Sequence, residues 1–121
     1  MKVLIVDDCA DSTFLLSQLL TASGYESRAA LDGREASAIL GAWLPDAILL
    51  DLALPGECGY DLAVKLRSEF GLKDKLIVAV SGYADNAERR KAAGIDVHIL
   101  KPVSASKLCE ILDGWKCSLA V

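Results

Sequence analysis

Residues 47–50, Ala-Ile-Leu-Leu, form an unbroken apolar run that stops at a carboxylate, Asp51, with Pro55-Gly56 close behind. A strand with no polar face cannot lie against water, so the run points to a sheet covered on both sides, the setting of parallel strands joined by helices. Asp51 then has two readings. It caps the turn that follows, as Asp often does where a strand gives way to a loop, or it is an acid aimed at one edge of the sheet. The ends of the other strands decide between them.

Residues 2–6 are short, apolar and β-branched and close in Asp7-Asp8; Asp11 then precedes a helix whose expected stripe is Leu15, Leu16, Leu19 and Leu20. Gly24 stops that helix, and residues 25–31 alternate only partly, which suits an edge strand. Asp32 is placed to cap a second helix, with Glu35 reaching back in a capping box and Ala36, Ile39, Leu40 and Trp43 on its apolar face, until Pro45 ends it. Past Gly59, the spacing of Leu62, Ala63, Leu66 and Phe70 predicts a third helix, which Gly71 terminates. Residues 75–80 form a second buried run, ending in Ser81-Gly82. Residues 84–93 have helical propensity, but their apolar side is nearly all alanine, so packing holds this helix weakly and it is the one expected to move. Residues 95–100 make a fifth strand ending in Lys101-Pro102. Ser104 caps a last helix with Leu108, Ile111, Leu112 and Trp115 on its inner side, and a frayed tail is expected after Lys116.

Strands and helices in strict alternation, with connections long enough for crossovers, predict a doubly wound α/β fold: a five-stranded parallel sheet with five helices on its two faces, flavodoxin-like in plan. The order 2-1-3-4-5 puts the half-polar strands two and five at the borders and makes strands one and three neighbours at the topological switch point, where ligands bind at the carboxyl ends. Asp7, Asp8 and Asp51 converge there, with Ser81 and Lys101 along the same rim. The second reading of Asp51 is therefore the better one.

Composition narrows the function. At 121 residues and 53% hydrophobic, residues 1–121 make one domain with ample core material and one principal site, the core lying within about 2–116. A net charge of −4 with no basic run gives no electrostatic footprint for DNA or RNA, so direct nucleic-acid partners are set aside. Cys9, Cys58, Cys109 and Cys117 contain no Cys-x-x-Cys pair, and no His stands at ligand spacing, so neither a zinc site nor a disulfide framework is suggested and reduced packing cysteines are the default. Neither a signal peptide nor a bilayer-spanning run is visible, and the expected location is cytoplasmic, with no membrane partner.

Three carboxylates brought together repel one another, so one takes up a proton or a cation holds them, and a single Lys101 does not suffice. A hard divalent cation with oxygen ligands fits, magnesium best, because it accepts one or two carboxylates, keeps waters and then coordinates a phosphate oxygen. On this reading Asp51 is the nucleophile that forms an aspartyl-phosphate, Mg²⁺ bridges Asp51 and Asp8, and Lys101 and the Ser81 hydroxyl bind the remaining phosphoryl oxygens.

Val6-Asp7-Asp8, Asp51-Leu-Ala-Leu-Pro-Gly with Gly59, Ser81-Gly82 and Lys101-Pro102 together resemble the receiver domain of two-component response regulators, over residues 2 to about 112. Any one pair is common by chance; all four in order at strand ends are specific. The resemblance implies a phosphoacceptor signalling domain rather than a conventional enzyme, catalysing only its own phosphorylation and dephosphorylation. Asp51 would be the phosphoacceptor, Asp8 a direct metal ligand, Asp7 a ligand through water and the backbone carbonyl of Ala53 a further ligand. Ser81 would be the switch hydroxyl and Lys101 the phosphate-binding cation, with a cis Lys101–Pro102 bond. The implied donor is a histidine kinase or phosphotransfer protein. The implied output is the face of helix four, strand five and helix five, including Arg90, His98 and Lys107. Segments 81–85 and 93–103 look most like receivers of hybrid sensor histidine kinases. The sequence departs from the family at His98, where the usual switch ring is Tyr or Phe; the alternative is a half-exposed edge residue without a role. Two residues after the phosphoacceptor and the switch hydroxyl stand Ala53 and Tyr83, positions that control water access and so the lifetime of the phosphorylated state. Tyr83 is either an aromatic wall beside the pocket or a packing residue, and Cys9 and Cys58, which flank the site, read as structural.

Two rival functions lack the residues they need, and a third is harder to set aside. A haloacid-dehalogenase-type phosphatase needs an acid where Ala53 stands. A flavodoxin-like electron carrier needs a Ser/Thr/Gly-rich phosphate loop where Asp7-Asp8-Cys9 stands. A receiver-like module that binds partners without phosphorylation commonly lacks a site residue, and none is missing here.

Overall fold

The computed structural model describes residues 1–54 and 56–119. Its elements run β1 (Lys2–Val6), α1 (Ala10–Ala22), β2 (Glu26–Ala30), α2 (Gly33–Leu40), β3 (Ala47–Asp51), α3 (Gly59–Glu69), β4 (Leu76–Ser81), α4 (Ala87–Ala92), β5 (Val97–Leu100) and α5 (Ala105–Leu119). The sheet is fully parallel in the order β2-β1-β3-β4-β5, as the sequence predicts. The reason lies in alternation along each buried strand. Leu4, Val6, Ile48, Leu50, Ile77 and Ala79 point into one core with Ala36 of α2 and Leu62, Ala63 and Leu66 of α3. Their neighbours Val3, Ile5, Ala47, Leu49, Leu76 and Val78 point into a second core with Leu20 of α1 and Leu108 and Leu112 of α5. Both faces are covered, so every position of β3 and β4 is buried. Each fully buried Leu or Ile is worth about 1.5–3 kcal/mol relative to exposure. β2, by contrast, is mostly exposed, as a border strand is.

Local signals fix the helix ends. Asp32 accepts a hydrogen bond from the Glu35 N–H at 2.8 Å, while the Glu35 carboxylate reaches back to the Leu31 N–H at 3.2 Å, one residue before the position a capping box uses. Gly24 stands in the left-handed region at φ 92°, which ends α1 at no steric cost. Ser104 caps α5 by accepting from the Lys107 N–H at 3.4 Å.

Five details differ from the sequence reading. The apolar stripe of α1 is narrower: Leu20 is fully buried and Leu16 half-buried, whereas Leu15 is 58% exposed and Leu19 36%. The helix is turned so that Thr13, Leu16 and Leu20 face the sheet, a 3-and-4 spacing that leaves Phe14, Leu15 and Leu19 outside. α2 stops at Leu40, with Gly41 as its cap, well before Pro45, and Trp43 packs into the first core from the loop beyond. α4 begins at Ala87 rather than residue 84, because the Asn86 side chain accepts from the Arg89 N–H and sets the start. β5 begins at Val97 rather than residue 95, since Ile95 donates to the Arg90 carbonyl and is still tied to the end of α4. α5 continues to Leu119, residues 116–119 containing no Gly or Pro to stop it, and the remainder of the expected tail, residues 120–121, lies outside the described residues. Among the described residues no helix is long and apolar enough to cross a membrane.

The orientation of α1 has a direct test in urea denaturation. Leu20→Ala should cost about 2–5 kcal/mol, the range for emptying a packed leucine site. Leu15→Ala should stay within about 0.5 kcal/mol, as an exposed position does. Equal losses at the two positions would contradict the observed face.

Candidate functional site

Strand register builds the site. Val6 pairs with Leu50, so Asp7 and Asp51 follow as the next residues on adjacent strands. Asp51 pairs with Val80 and Ser81 with Leu100, which brings Ser81 and Lys101 to the same rim. Asp7 is 6% exposed and Asp51 3%, while Asp8 is exposed, and one carboxylate oxygen of each lies within 4.8 Å of the others. The two buried acids are held alike. Asp7 Oδ1 accepts from the Cys9 N–H at 3.0 Å and Asp51 Oδ1 from the Ala53 N–H at 2.9 Å, which fixes each carboxylate against its own loop. Their other oxygens face Lys101, whose Nζ is 3.0 Å from Asp51 Oδ2 and 3.9 Å from Asp7 Oδ2. Lys101 follows directly from β5, its N–H donating to the Ser81 carbonyl at 2.8 Å, and its bond to Pro102 is cis.

The loop after β3 is held close as well. A Cβ on Gly59 would come within 2.5 Å of Leu52 Cα and 3.0 Å of the Asp51 carbonyl oxygen, so only glycine lets α3 start against the end of β3. Glu57 reaches across to accept from the Gly33 N–H at 3.1 Å, tying this loop to the start of α2.

The electrostatics are unbalanced. Three carboxylates face one ammonium, and among the described residues Lys101 makes the only ion pairs to Asp7 and Asp51. Burial raises the Asp7 pKa above its ordinary 3.8, and the Asp51 charge adds to the rise; the Cys9 N–H and Lys101 work against it without cancelling it. Burial works to lower the Lys101 pKa, but its hydrogen bond to Asp51 and the fields of Asp7, Asp51 and Asp8 outweigh it, and the net shift is upward. An all-oxygen donor set with one exposed member fits a hard divalent cation that keeps part of its water, magnesium above all, and does not fit zinc. Beside the acids a cavity of about 500 Å³ opens, lined by Asp7, Asp51 and Lys101 together with Leu15, Leu16 and Val103.

The structure thus brings together Asp7, Asp8, Asp51 and Lys101 as the sequence reading expects. Ser81 is on the rim and buried, but its hydroxyl is engaged elsewhere: Oγ lies 3.0 Å from the Tyr83 carbonyl oxygen, 3.2 Å from the Tyr83 nitrogen and 2.9 Å from His98 Nε2. The Tyr83 ring is 77% exposed and does not line the cavity. Ala53 is exposed. Cys58 stands at the start of α3, 3.4 Å from the Arg89 guanidinium, and Cys9 serves through its backbone. Two side-chain contacts carry no sequence signal, one at the site and one at the opposite end of the sheet. One is the Ser81–His98 hydrogen bond, between residues 17 apart. The other is Arg67, half-buried, whose guanidinium donates to the carbonyls of Leu72, Lys75 and Gly94 and to Asp96, joining α3 to the turn before β5.

Comparison with known proteins places this geometry in context. The sequence matches the response regulator receiver domain family over residues 3–113. It is 30% identical over 116 residues to the polar-differentiation response regulator DivK of Brucella anthropi, with 94% of each chain covered. The chemotaxis protein CheY4 of Vibrio cholerae superposes with a TM-score of 0.87 at 29% identity, covering 93% of this chain and 95% of that one. The response regulator TrrA of Thermotoga maritima, in complex with Mg²⁺ and BeF, superposes with a TM-score of 0.81 at 26% identity over 93% of this chain and 96% of that one.

The raised Asp7 pKa gives a prediction for the metal-free protein. A carboxyl whose folded pKa lies above its unfolded value of 3.8 loses stabilising effect as pH rises from the unfolded to the folded value. In EDTA, Asp7→Asn should therefore become more stable than wild type as pH rises above 3.8, with the gap levelling off once the folded pKa is passed. Urea denaturation across that pH series checks the sign, and a gap that shrinks with rising pH would contradict it.

Proposed function

The chain belongs to the response regulator receiver domain family, and we propose that it accepts a phosphoryl group on Asp51 from a histidine kinase or phosphotransfer protein in a two-component phosphorelay. The observation that carries this reading is the buried Asp51 carboxylate held 3.0 Å from Lys101 within a cluster of three acids. An Asp51 oxygen attacks phosphorus, the bond to the donor's imidazole breaks, and the donor leaves with the electron pair. Asp8, Asp51 and the Ala53 carbonyl would hold Mg²⁺, with Asp7 acting through a water, and the ion supplies charge neutralisation for the phosphoryl oxygens. Lys101 shifts its hydrogen bond from Asp51 to a phosphoryl oxygen, and the Ser81 hydroxyl binds another.

The output proposed is a change at the face formed by α4, β5 and α5, with Arg90, His98 and Lys107 on it. Support comes from α4, which spans six residues and buries none of them, so little packing resists its displacement. Ala53 and Tyr83 are assigned to the lifetime of the phosphorylated state: neither can act as a base toward water, and the Tyr83 ring guards the approach once it folds in from solvent. The whole of residues 1–121 is taken as one receiver domain working in the cytoplasm without direct nucleic-acid or membrane contact. The likeness of segments 81–85 and 93–103 to receivers of hybrid kinases belongs to the same proposal.

Incubation with Mg²⁺ and acetyl phosphate should add one phosphoryl group by intact mass, with acetate as the leaving group, and Asp51→Asn should add none while remaining folded. Phosphorylation of Asp51→Asn at the wild-type rate would refute the assignment. After removal of the donor, Ala53→Asn, which adds an amide able to orient water, and Tyr83→Ala should both lose the group faster than wild type; unchanged decay in Tyr83→Ala would leave the ring a solvent-exposed residue.

A further inference from the structure

Ser81 has one hydroxyl proton and two lone pairs, and its surroundings use all three. The Tyr83 N–H, 3.2 Å away, can only donate to Oγ, and the Tyr83 carbonyl, 3.0 Å away, can only accept from it. If the hydroxyl proton went to His98 Nε2 instead, the Tyr83 carbonyl would face a bare oxygen at 3.0 Å beside a buried group. The arrangement that satisfies every partner has the hydroxyl donating to Tyr83 and His98 Nε2–H donating to Oγ at 2.9 Å. Among the described residues none of the partners of Oγ belongs to the acidic cluster. Strand alternation agrees: Ser81 falls in line with Ile77 and Ala79 of the first core, whereas Asp51 falls in line with Ala47 and Leu49 of the second. His98 pairs in register with Ala79, whose small side chain leaves the ring room to lean along β4 toward Ser81.

We infer that His98 is a positioning residue, a latch whose Nε2–H saturates the Ser81 hydroxyl in the resting chain and must be released before that hydroxyl can turn to a phosphoryl group on Asp51. The inference rests on the phosphoacceptor reading above and adds to it a hydrogen bond that opposes the phosphorylated state. Release is reversible because His98 is half-exposed, so the freed N–H turns to water rather than being stranded. The ring thereby links the site to β5 by a polar contact, in place of the packing of an apolar ring.

His98 is the single histidine of the chain, so ring-nitrogen NMR of ¹⁵N-labelled protein reports on it without assignment. At a pH where the ring is neutral, the resting protein should carry its proton on Nε2, and Ser81→Ala should shift that signal and speed its exchange with water. Addition of Mg²⁺ and acetyl phosphate, with intact mass showing one added phosphoryl group, should move the wild-type signal toward its position in Ser81→Ala. His98→Phe, which keeps ring volume and removes the donor, should be phosphorylated faster by up to about tenfold, the effect of one ordinary hydrogen bond. A resting ring protonated on Nδ1 would overturn the latch, as would ring signals that stay fixed while the mass confirms phosphorylation; in that second case the phosphoacceptor reading stands. No added mass at all would overturn both.

Discussion

Two buried carboxylates and one exposed one share a single ammonium at the end of this sheet, and the surrounding structure serves to keep them there. Taken alone the arrangement is unfavourable: burial and mutual repulsion push the Asp7 pKa up, and Lys101 compensates only part of the charge. It persists because each buried acid sits immediately after an apolar strand that packs on both faces, and because a backbone N–H two residues on anchors one oxygen of each. The binding energy of two hydrophobic cores holds in place a charge cluster that would otherwise separate. The negative charge that Lys101 leaves uncompensated is what the proposed divalent cation would offset.

Rigidity and looseness are distributed to match. β3 and β4 are buried throughout, so Asp51 and the backbone of Ser81 have little freedom. α4 has no buried residue and is held by polar side-chain contacts, Arg89 on Cys58 Sγ and Arg90 on Asp85 and the carbonyl of Asp96, with Arg67 on the Gly94 carbonyl just beyond its end. A helix held by exchangeable polar contacts can shift without opening a core. The Ser81–His98 contact lies between the rigid acid-bearing strands and this loose side, which is where a small movement of one hydroxyl can bias a larger one.

Much of this was legible in the sequence, for identifiable reasons. The runs at 47–50 and 76–80 admit no polar face, so parallel pairing, strand order and the meeting of Asp7, Asp8, Asp51 and Lys101 follow from topology. The face of α1 did not follow, because Leu15, Leu16, Leu19 and Leu20 form two adjacent stripes and only docking chooses between them. The starts of α4 and β5 were missed because a single side chain, Asn86, and one backbone bond, from Ile95 to Arg90, set them against propensity. Contacts such as Arg67 to Gly94, Glu57 to Gly33 and His98 to Ser81 join residues distant in the chain whose types announce no pairing.

The claim that the acidic cluster is built for a divalent cation is tested most directly by thermal unfolding against magnesium concentration in wild type and Asp8→Ala. Binding to the folded state alone stabilises by RT ln(1 + [L]/Kd), about 2.7 kcal/mol at one hundred times Kd. Wild type should show this concentration-dependent rise in Tm, and Asp8→Ala should lose most of it while keeping its metal-free Tm or exceeding that of wild type. A Tm that ignores magnesium in wild type, or a full response retained in Asp8→Ala, would contradict the account.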